Sequence, residues 1–307
     1  MKRSTVAWGV AGLGCALLLL LAAGVAVVLG MSGGTRRVTG SSAFVLGSRV
    51  GIVDLEGVIF SADYVRDTLR KFRETANVKA VVLRINSPGG GVAASQELNR
   101  EIARFRRETK KPVVVSMESV AASGGYYAAA AADHIVANPG TITGSIGVIV
   151  QWTNYGELLD WAKLRTITIK TGALKDAGNP TRALTDEEKK YFEELIERLR
   201  GQFQSAVAEG RKGKLKPGAL EKMADGRIVT GDEAVGLGLV DEIGDLRDAV
   251  DRAAKLAGLS VPAETWHPRP ARVGLLDLLN GPSESSWAGR LMSGAPVGGG
   301  WNVFFLW

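Results

Sequence analysis

The chain has 307 residues, 46% of them hydrophobic and 23% charged, with a formal net charge of +6. That balance is globular and the length suits one large domain with material left for a membrane segment and tails. The positive charge is spread over short clusters such as Arg36-Arg37, Lys110-Lys111 and Arg211-Lys212 rather than a stripe interleaved with aromatics, which argues against nucleic acid as a partner, and the single cysteine, Cys15, excludes an internal disulfide framework.

Residues 1–5 carry Lys2 and Arg3, and from Val6 to Gly30 there is no charged residue. A helix over 6–30 is about 37 Å long at about 1.5 Å per residue, enough to cross a hydrocarbon core of about 30 Å with some tilt. The nearest small-residue cleavage site, around Ala22 to Ala26, falls inside the apolar run, so the segment reads as a retained anchor and not a cleaved signal. Lys2 and Arg3 sit tightly against it, which favours a cytoplasmic N-terminus and an outward-facing body. Residues 31–48 read as a flexible linker.

The body begins at Arg49. "RVGIVDLEG" predicts a strand, "YVRDTLRKFRE" (64–74) an amphipathic helix, and "VKAVVLRINS" (78–87) a strand apolar enough to be buried on both faces. "SQELNREIARFRRE" then predicts a helix, "KPVVVSMES" a strand, and the alanine-rich stretch after Ser123 another helix. "DHIVANP" and "SIGVIV" add two short strands, and "LRTITIK" (164–170) a further one. Strands alternating with helices at this spacing predict crossover units on a parallel sheet. Residues 185–210 predict a long helix with an acidic first turn. After Gly258 the chain turns Pro- and Gly-rich, giving a body over 49–260 and a tail over 261–307 that ends in "GGGWNVFFLW".

Two loops carry the chemistry. "NSPGGG" (86–91) follows a buried strand and precedes a helix, so its backbone N–H groups are placed to hold an anion or a developing oxyanion. It has neither a GK[ST] ending nor a GxGxxG pattern, which weakens a nucleotide reading. In "VAASGGYY" Ser123 follows a strand and heads a helix. Its hydroxyl is presented at the C-terminal edge of the sheet, the Gly124 N–H lies beside any oxyanion it creates, and the two glycines clear room for a substrate chain. The plainer reading of Ser123 is a helix cap.

A serine nucleophile needs a base, and the chain has two histidines. His134 starts a predicted buried strand and His267 lies in "WHPRP", outside the expected body, so a Ser-His-Asp triad is poorly supplied. A lysine with its pKa lowered by desolvation is the remaining base. "IKTGALKDAGNP" offers both Lys170 and Lys175, and composition does not choose between them.

Four phrases in order, "LRINSPGGGV", "AASGGYYAAAAADHIVANPGTITGSIGV", "GALKDAGNP" and "ADGRIVTGDEAVGLGLVDEIG", resemble the SppA-type signal peptide peptidases, in their short single-repeat form with one N-terminal anchor. The resemblance runs from about residue 49 to 258. It implies an α/β fold, a ClpP/crotonase-like spiral of repeated ββα units with a helical C-terminal part, and a serine/lysine dyad that cleaves apolar membrane-derived peptides. Ser123 matches the nucleophile and Lys175 the general base, whereas Lys170 does not match. Ser145 in "TGSIG" matches a hydroxyl that holds the lysine amine. The second oxyanion N–H is best placed at Gly90, with Gly89 the other candidate, beside that of Gly124.

The resemblance further implies no metal or cofactor, residence in the bacterial cytoplasmic membrane with an extracytoplasmic catalytic domain, and a ring-like homo-oligomer, an octamer, in which neighbouring protomers share each site. The rival readings are a membrane serine protease of the same clan with other protein substrates, a crotonase-type acyl-CoA enzyme and a non-enzymatic scaffold. The acyl-CoA reading wants a carboxylate at the second loop, where Glu118 comes too early. The alanines at 128–132 depart from the family pattern and bear on pocket lining. The terminal "WNVFFLW" has three readings: a free end, a membrane-surface contact, or an occupant of the protease's own groove.

Overall fold

In a computed structural model, residues 47–268 and the backbone of Val303–Phe305 are described. In chain order the elements are β1 (Arg49–Glu56), α1 (Asp63–Glu74), β2 (Val78–Ser87), β3 (Gly90–Gly91), α2 (Val92–Thr109), β4 (Val113–Ala122), α3 (Gly124–Ala129), β5 (His134–Ala137), β6 (Ile142–Gly144), β7 (Ile149–Val150) and α4 (Gly156–Trp161). A 3-10 turn (Ala173–Asp176) leads to α5 (Asp186–Gly210), α6 (Ala219–Met223), β8 (Ile228–Thr230), α7 (Gly231–Leu237), β9 (Glu242–Ile243), α8 (Leu246–Leu256), β10 (Glu264–Trp266) and β11 (Val303–Phe305).

The main sheet has the order β10-β1-β2-β4-β5-β9, every neighbouring pair parallel. Near-continuous apolar runs in β1, β2 and β4 require cover on both faces, and both are covered. On one side Val53, Leu69, Phe72, Leu83, Phe105, Met117 and Phe203 belong to a core closed by α1, α2, α3 and α5. On the other, α8 lays Ala249, Val250, Ala253 and Ala254 onto Val50, Ile52, Val82 and Val114. Each large apolar side chain buried this way contributes about 1.5–3 kcal/mol. The fold is therefore a mixed α/β sheet with a helical part toward the C-terminus, as the alternation of patterns predicts.

The departures are local. Residues 164–170 form no strand, and Ile167 and Ile169 are 87% and 96% exposed; alternation of apolar residues makes a strand only where a neighbour accepts its backbone groups. In "SIGVIV" only Ile149–Val150 is strand, because the chain turns at Ser145 with φ 52°, while β6 lies just before it. β10 pairs with β1, so the sheet reaches past the expected boundary at 260. His267 is also part of this body, its Nε2 2.7 Å from an Asp54 carboxylate oxygen, and not outside it as the Pro-rich context predicts. The expected anchor at 6–30, most of the linker and residues 269–302 lie outside the described residues, among which no helix is long and apolar enough to cross a membrane.

Candidate active site

Two strand ends on one edge of the sheet build the site. The first is β2, which gives way to the turn Ser87–Gly90 as the chain enters α2. The Gly89 N–H donates to Ser87 Oγ at 3.1 Å, and Gly89 itself sits at φ 108°. Ile59 then clamps the next residues: its N–H donates to the Gly89 carbonyl and its carbonyl accepts from the Gly91 N–H, both at 2.8 Å. A side chain at Gly90 would place Cβ 2.2 Å from the Ile59 carbonyl oxygen, so close approach of two backbones demands glycine there.

The second is β4, whose last residues pair with β6 and deliver Ser123 at φ 51°, ψ −117°. Few L-residues adopt that conformation, and such outliers persist where surrounding structure holds them. Here the Ser123 N–H donates to the Gly144 carbonyl at 2.9 Å and its carbonyl accepts from the Tyr127 N–H at 2.8 Å. The Tyr126 hydroxyl donates to the Leu239 carbonyl at 3.0 Å, pinning the start of α3, and burial pushes its pKa up.

Ser123 is 0% exposed, makes no capping hydrogen bond to α3, and its Oγ has no hydrogen-bond partner among the described residues. A buried hydroxyl left unsatisfied costs about 1–3 kcal/mol, so the helix-cap reading has no geometric support. The two loops touch: a Cβ at Gly124 would lie 3.1 Å from the Gly90 nitrogen, 3.3 Å from the Gly89 Cα and 2.3 Å from Ser95 Oγ. The backbone of Gly90 therefore stands directly against the residue that follows Ser123.

Ser145 is buried and lies beside Ser123 through the β4–β6 pairing, with its own positive φ of 52° and its N–H donated to the Arg227 carbonyl at 2.8 Å. The lysines are treated differently. Lys170 is committed: its ammonium bonds the Asp176 carboxylate and, at 2.8 Å, the Ala173 carbonyl. Lys170 and Arg182 together hold the Asp176 carboxyl down at about 2. Arg182 does the same to Glu188, also at about 2, within the capping box that starts α5. Lys175, on the 3-10 turn, is exposed, and no described residue pairs with its ammonium.

Ser123, Gly124, Gly90 and Ser145 are thus gathered within the chain, and Lys175 is not brought to Ser123. Neither histidine reaches the hydroxyl: His134 Nε2 lies 3.0 Å from Glu242, and His267 meets Asp54. A groove of about 930 Å3 on the α8 side, lined by Ser116, Glu118, Thr141, Arg247 and Thr265, contains none of these residues. Three contributors were missed from sequence: Ile59 as the backbone clamp, Ser87 as acceptor for the turn, and Ser95, fully buried, which donates to the Gly91 carbonyl at 3.0 Å. The available signal for Ser95 was a small hydroxyl one turn into an otherwise apolar helix start.

The model of peptidase family S49 matches residues 105–260, a span that contains Ser123, Ser145 and Lys175 but not Gly90. A protein of Synechocystis sp., provisionally named a protease, is 41% identical over 214 residues, 69% of this chain and 75% of that one. A protein of Enterococcus faecium, provisionally named signal peptide peptidase SppA, is 41% identical over 187 residues, 61% of this chain and 54% of that one. Among solved structures, a mutant of the 1510-N membrane-bound stomatin-specific protease aligns with a TM-score of 0.46 at 17% identity, over 73% of this chain and 99% of that one.

Proposed function

The chain belongs to peptidase family S49 as an SppA-type member, and from that premise we propose that it is a membrane-anchored serine endopeptidase working through Ser123 and Lys175. The observation that carries the reading is the buried, unpartnered Ser123 Oγ at a strained turn, packed against the Gly90 and Gly124 backbone. Ser123 Oγ attacks a peptide carbonyl, the Gly90 and Gly124 N–H groups stabilise the tetrahedral oxyanion, and the leaving amine takes the proton that the base removed from Ser123. Water repeats the cycle on the acyl-enzyme. One well-aimed oxyanion donor is worth about 10²–10³-fold in kcat. The two strand–glycine–helix crossovers support a ClpP/crotonase-like fold.

Lys175 is the base because Lys170 is already neutralised by Asp176. Since Lys175 faces solvent in its own chain, it serves a neighbouring copy in a homo-oligomer, an octamer, where Ser145 positions its amine. The exposed Trp161, Ile167 and Ile169 on the same segment support such a contact, since apolar groups this exposed are stabilised by a partner surface. Substrates are remnant signal peptides and other apolar membrane-derived peptides, met at the cytoplasmic membrane where residues 6–30 anchor the chain. Hydrolysis of a fluorogenic apolar peptide tests the reading: turnover must vanish in Ser123→Ala and fall steeply in Lys175→Ala. Turnover that survives Ser123→Ala contradicts it.

A further inference from the structure

The parallel strands of the main sheet begin on one edge, opposite the edge that carries Ser123. Arg49, Val78, Val113 and His134 open β1, β2, β4 and β5 there. A groove of about 750 Å3 lies at this edge, and six cationic side chains line it: Arg100, Arg104, Arg106, Arg107, Lys110 and Lys111. Its carboxylates are Asp133 and Glu209.

Part of that charge is committed within the chain. The Arg106 guanidinium bonds the Asp133 carboxylate and the Ala131 carbonyl, and the Lys111 ammonium closes the end of α1 on the Phe72 and Thr75 carbonyls at 2.6 and 3.0 Å. Arg104 bonds Glu101 at 2.7 Å. No described carboxylate pairs with Arg100, Arg107 or Lys110, and all three are exposed.

The macrodipole of α2 accounts for Arg106 and Arg107 in its last turn, but that field falls off within a turn, and Arg100 and Arg104 stand farther back. Arg100, Arg104 and Arg107 fall at i, i+4 and i+7, on one face of the helix. Like charges at that spacing destabilise a helix, so an anion from outside the chain is the occupant this face fits. Lys110 joins them from a left-handed backbone, φ 59°, where glycine is the ordinary residue.

Two observations choose the anion. Leu256, 50% exposed, lines the same groove, an apolar contact suited to the headgroup–acyl boundary of a bilayer. The chain also enters β1 at this edge, after a linker (31–48) whose flexible span is on the order of 25 Å. From this placement we infer that the groove binds the phosphates of anionic lipids and seats this edge of the sheet on the membrane surface. The inference rests on the anchor in the reading above. Phosphate oxygens accept charge-assisted bonds from Arg100, Arg104, Arg107 and Lys110, and Ser123, at the far ends of the strands, stays clear of the surface.

The test uses the full chain reconstituted into vesicles of equal phosphatidylcholine and phosphatidylglycerol, with one lipid or the other carrying a photoactivatable headgroup, and labelled residues mapped by mass spectrometry. The phosphatidylglycerol probe labels residues 100–112 and the phosphatidylcholine probe does not. Combining Arg100→Gln, Arg104→Gln, Arg107→Gln and Lys110→Gln lowers that label about tenfold or more with the melting temperature kept, and raised salt lowers it in the unmodified chain. Equal labelling by the two probes, labelling unchanged in the variant, or label from an acidic peptide but not from lipid overturns the inference. Extraction with alkaline carbonate separates it from the anchor: a retained chain with an unlabelled groove overturns the inference alone, a released chain with a labelled groove overturns the anchor alone, and a released chain with an unlabelled groove overturns both.

Discussion

The Ser123 edge and the segment 151–175, which hold the two residues of the proposed dyad, stand under opposite physical conditions. Around Ser123 most neighbouring residues are buried, Ser123 and Ser145 both have positive φ, and Gly90 and Gly124 pack against other backbone too closely for a side chain. Around Lys175 nearly every residue is exposed, including large apolar ones, and ion pairs near the 3-10 turn do the holding. A nucleophile must be pre-aimed and shielded from water; a base delivered by another copy must stand where that copy can reach it. The difference teaches that, on the proposed reading, the chain builds the nucleophile's half of the site and displays the base's half.

Substitutions can break that contrast from either side. Ser123→Ala should lower kcat on the order of 10⁶-fold, the scale for loss of a serine nucleophile, with thermal stability raised, because the buried hydroxyl without a partner is removed. Lys175→Ala should cost about 10²–10⁴-fold and Lys170→Ala far less; equal losses in steady-state assays would mean that the Lys170–Asp176 pair does not separate their roles.

Stability should divide along the same line. Arg211 is 0% exposed and bonds the Asp241 carboxylate at 2.7 Å; burial alone would raise the Asp241 pKa, but Arg211 and Lys214 hold it below the usual range. Arg211→Met should destabilise the body by about 3 kcal/mol in denaturant melts, because the Gly238 carbonyl loses its guanidinium donors and the Asp241 carboxylate keeps only Lys214 as a cationic partner. Replacing Ile167 and Ile169 by serine should change body stability by no more than about 0.5 kcal/mol, while shifting the proposed homo-oligomer toward monomers in light scattering.

The smallest effect is one of pH. Asp176 and Glu188 have folded-state pKa values depressed to about 2, so their contribution is present above the ordinary carboxylate range and is lost as pH falls toward about 2. Hydrogen exchange should show the segment before α5 opening over that acid range ahead of β2 and β4. Simultaneous opening would remove the distinction.

The body was legible because its signals are local and redundant. The apolar runs of β2 and β4 and the helix over 64–74 follow from periodicity, and the glycines of "NSPGGG" and "AASGGYY" mark close backbone approach. Ile59 was illegible because it acts through its backbone, which any residue type carries. "LRTITIK" misled because alternation reports which faces differ and is silent on whether a partner strand exists. His267 was misjudged because pairing with Asp54 spans 213 positions of sequence, a contact no local pattern encodes.

Sharing of the dyad between copies is tested most directly by co-expressing Ser123→Ala chains with Lys175→Ala chains and assaying the purified mixed assemblies on an apolar peptide. Each variant alone should turn over at least about 10²-fold more slowly than the unmodified enzyme. A site that takes Ser123 from one copy and Lys175 from the next regains turnover in the mixture, because some neighbours pair an intact serine with an intact lysine. Mixed assemblies as inactive as either parent would mean that both residues must come from the same chain.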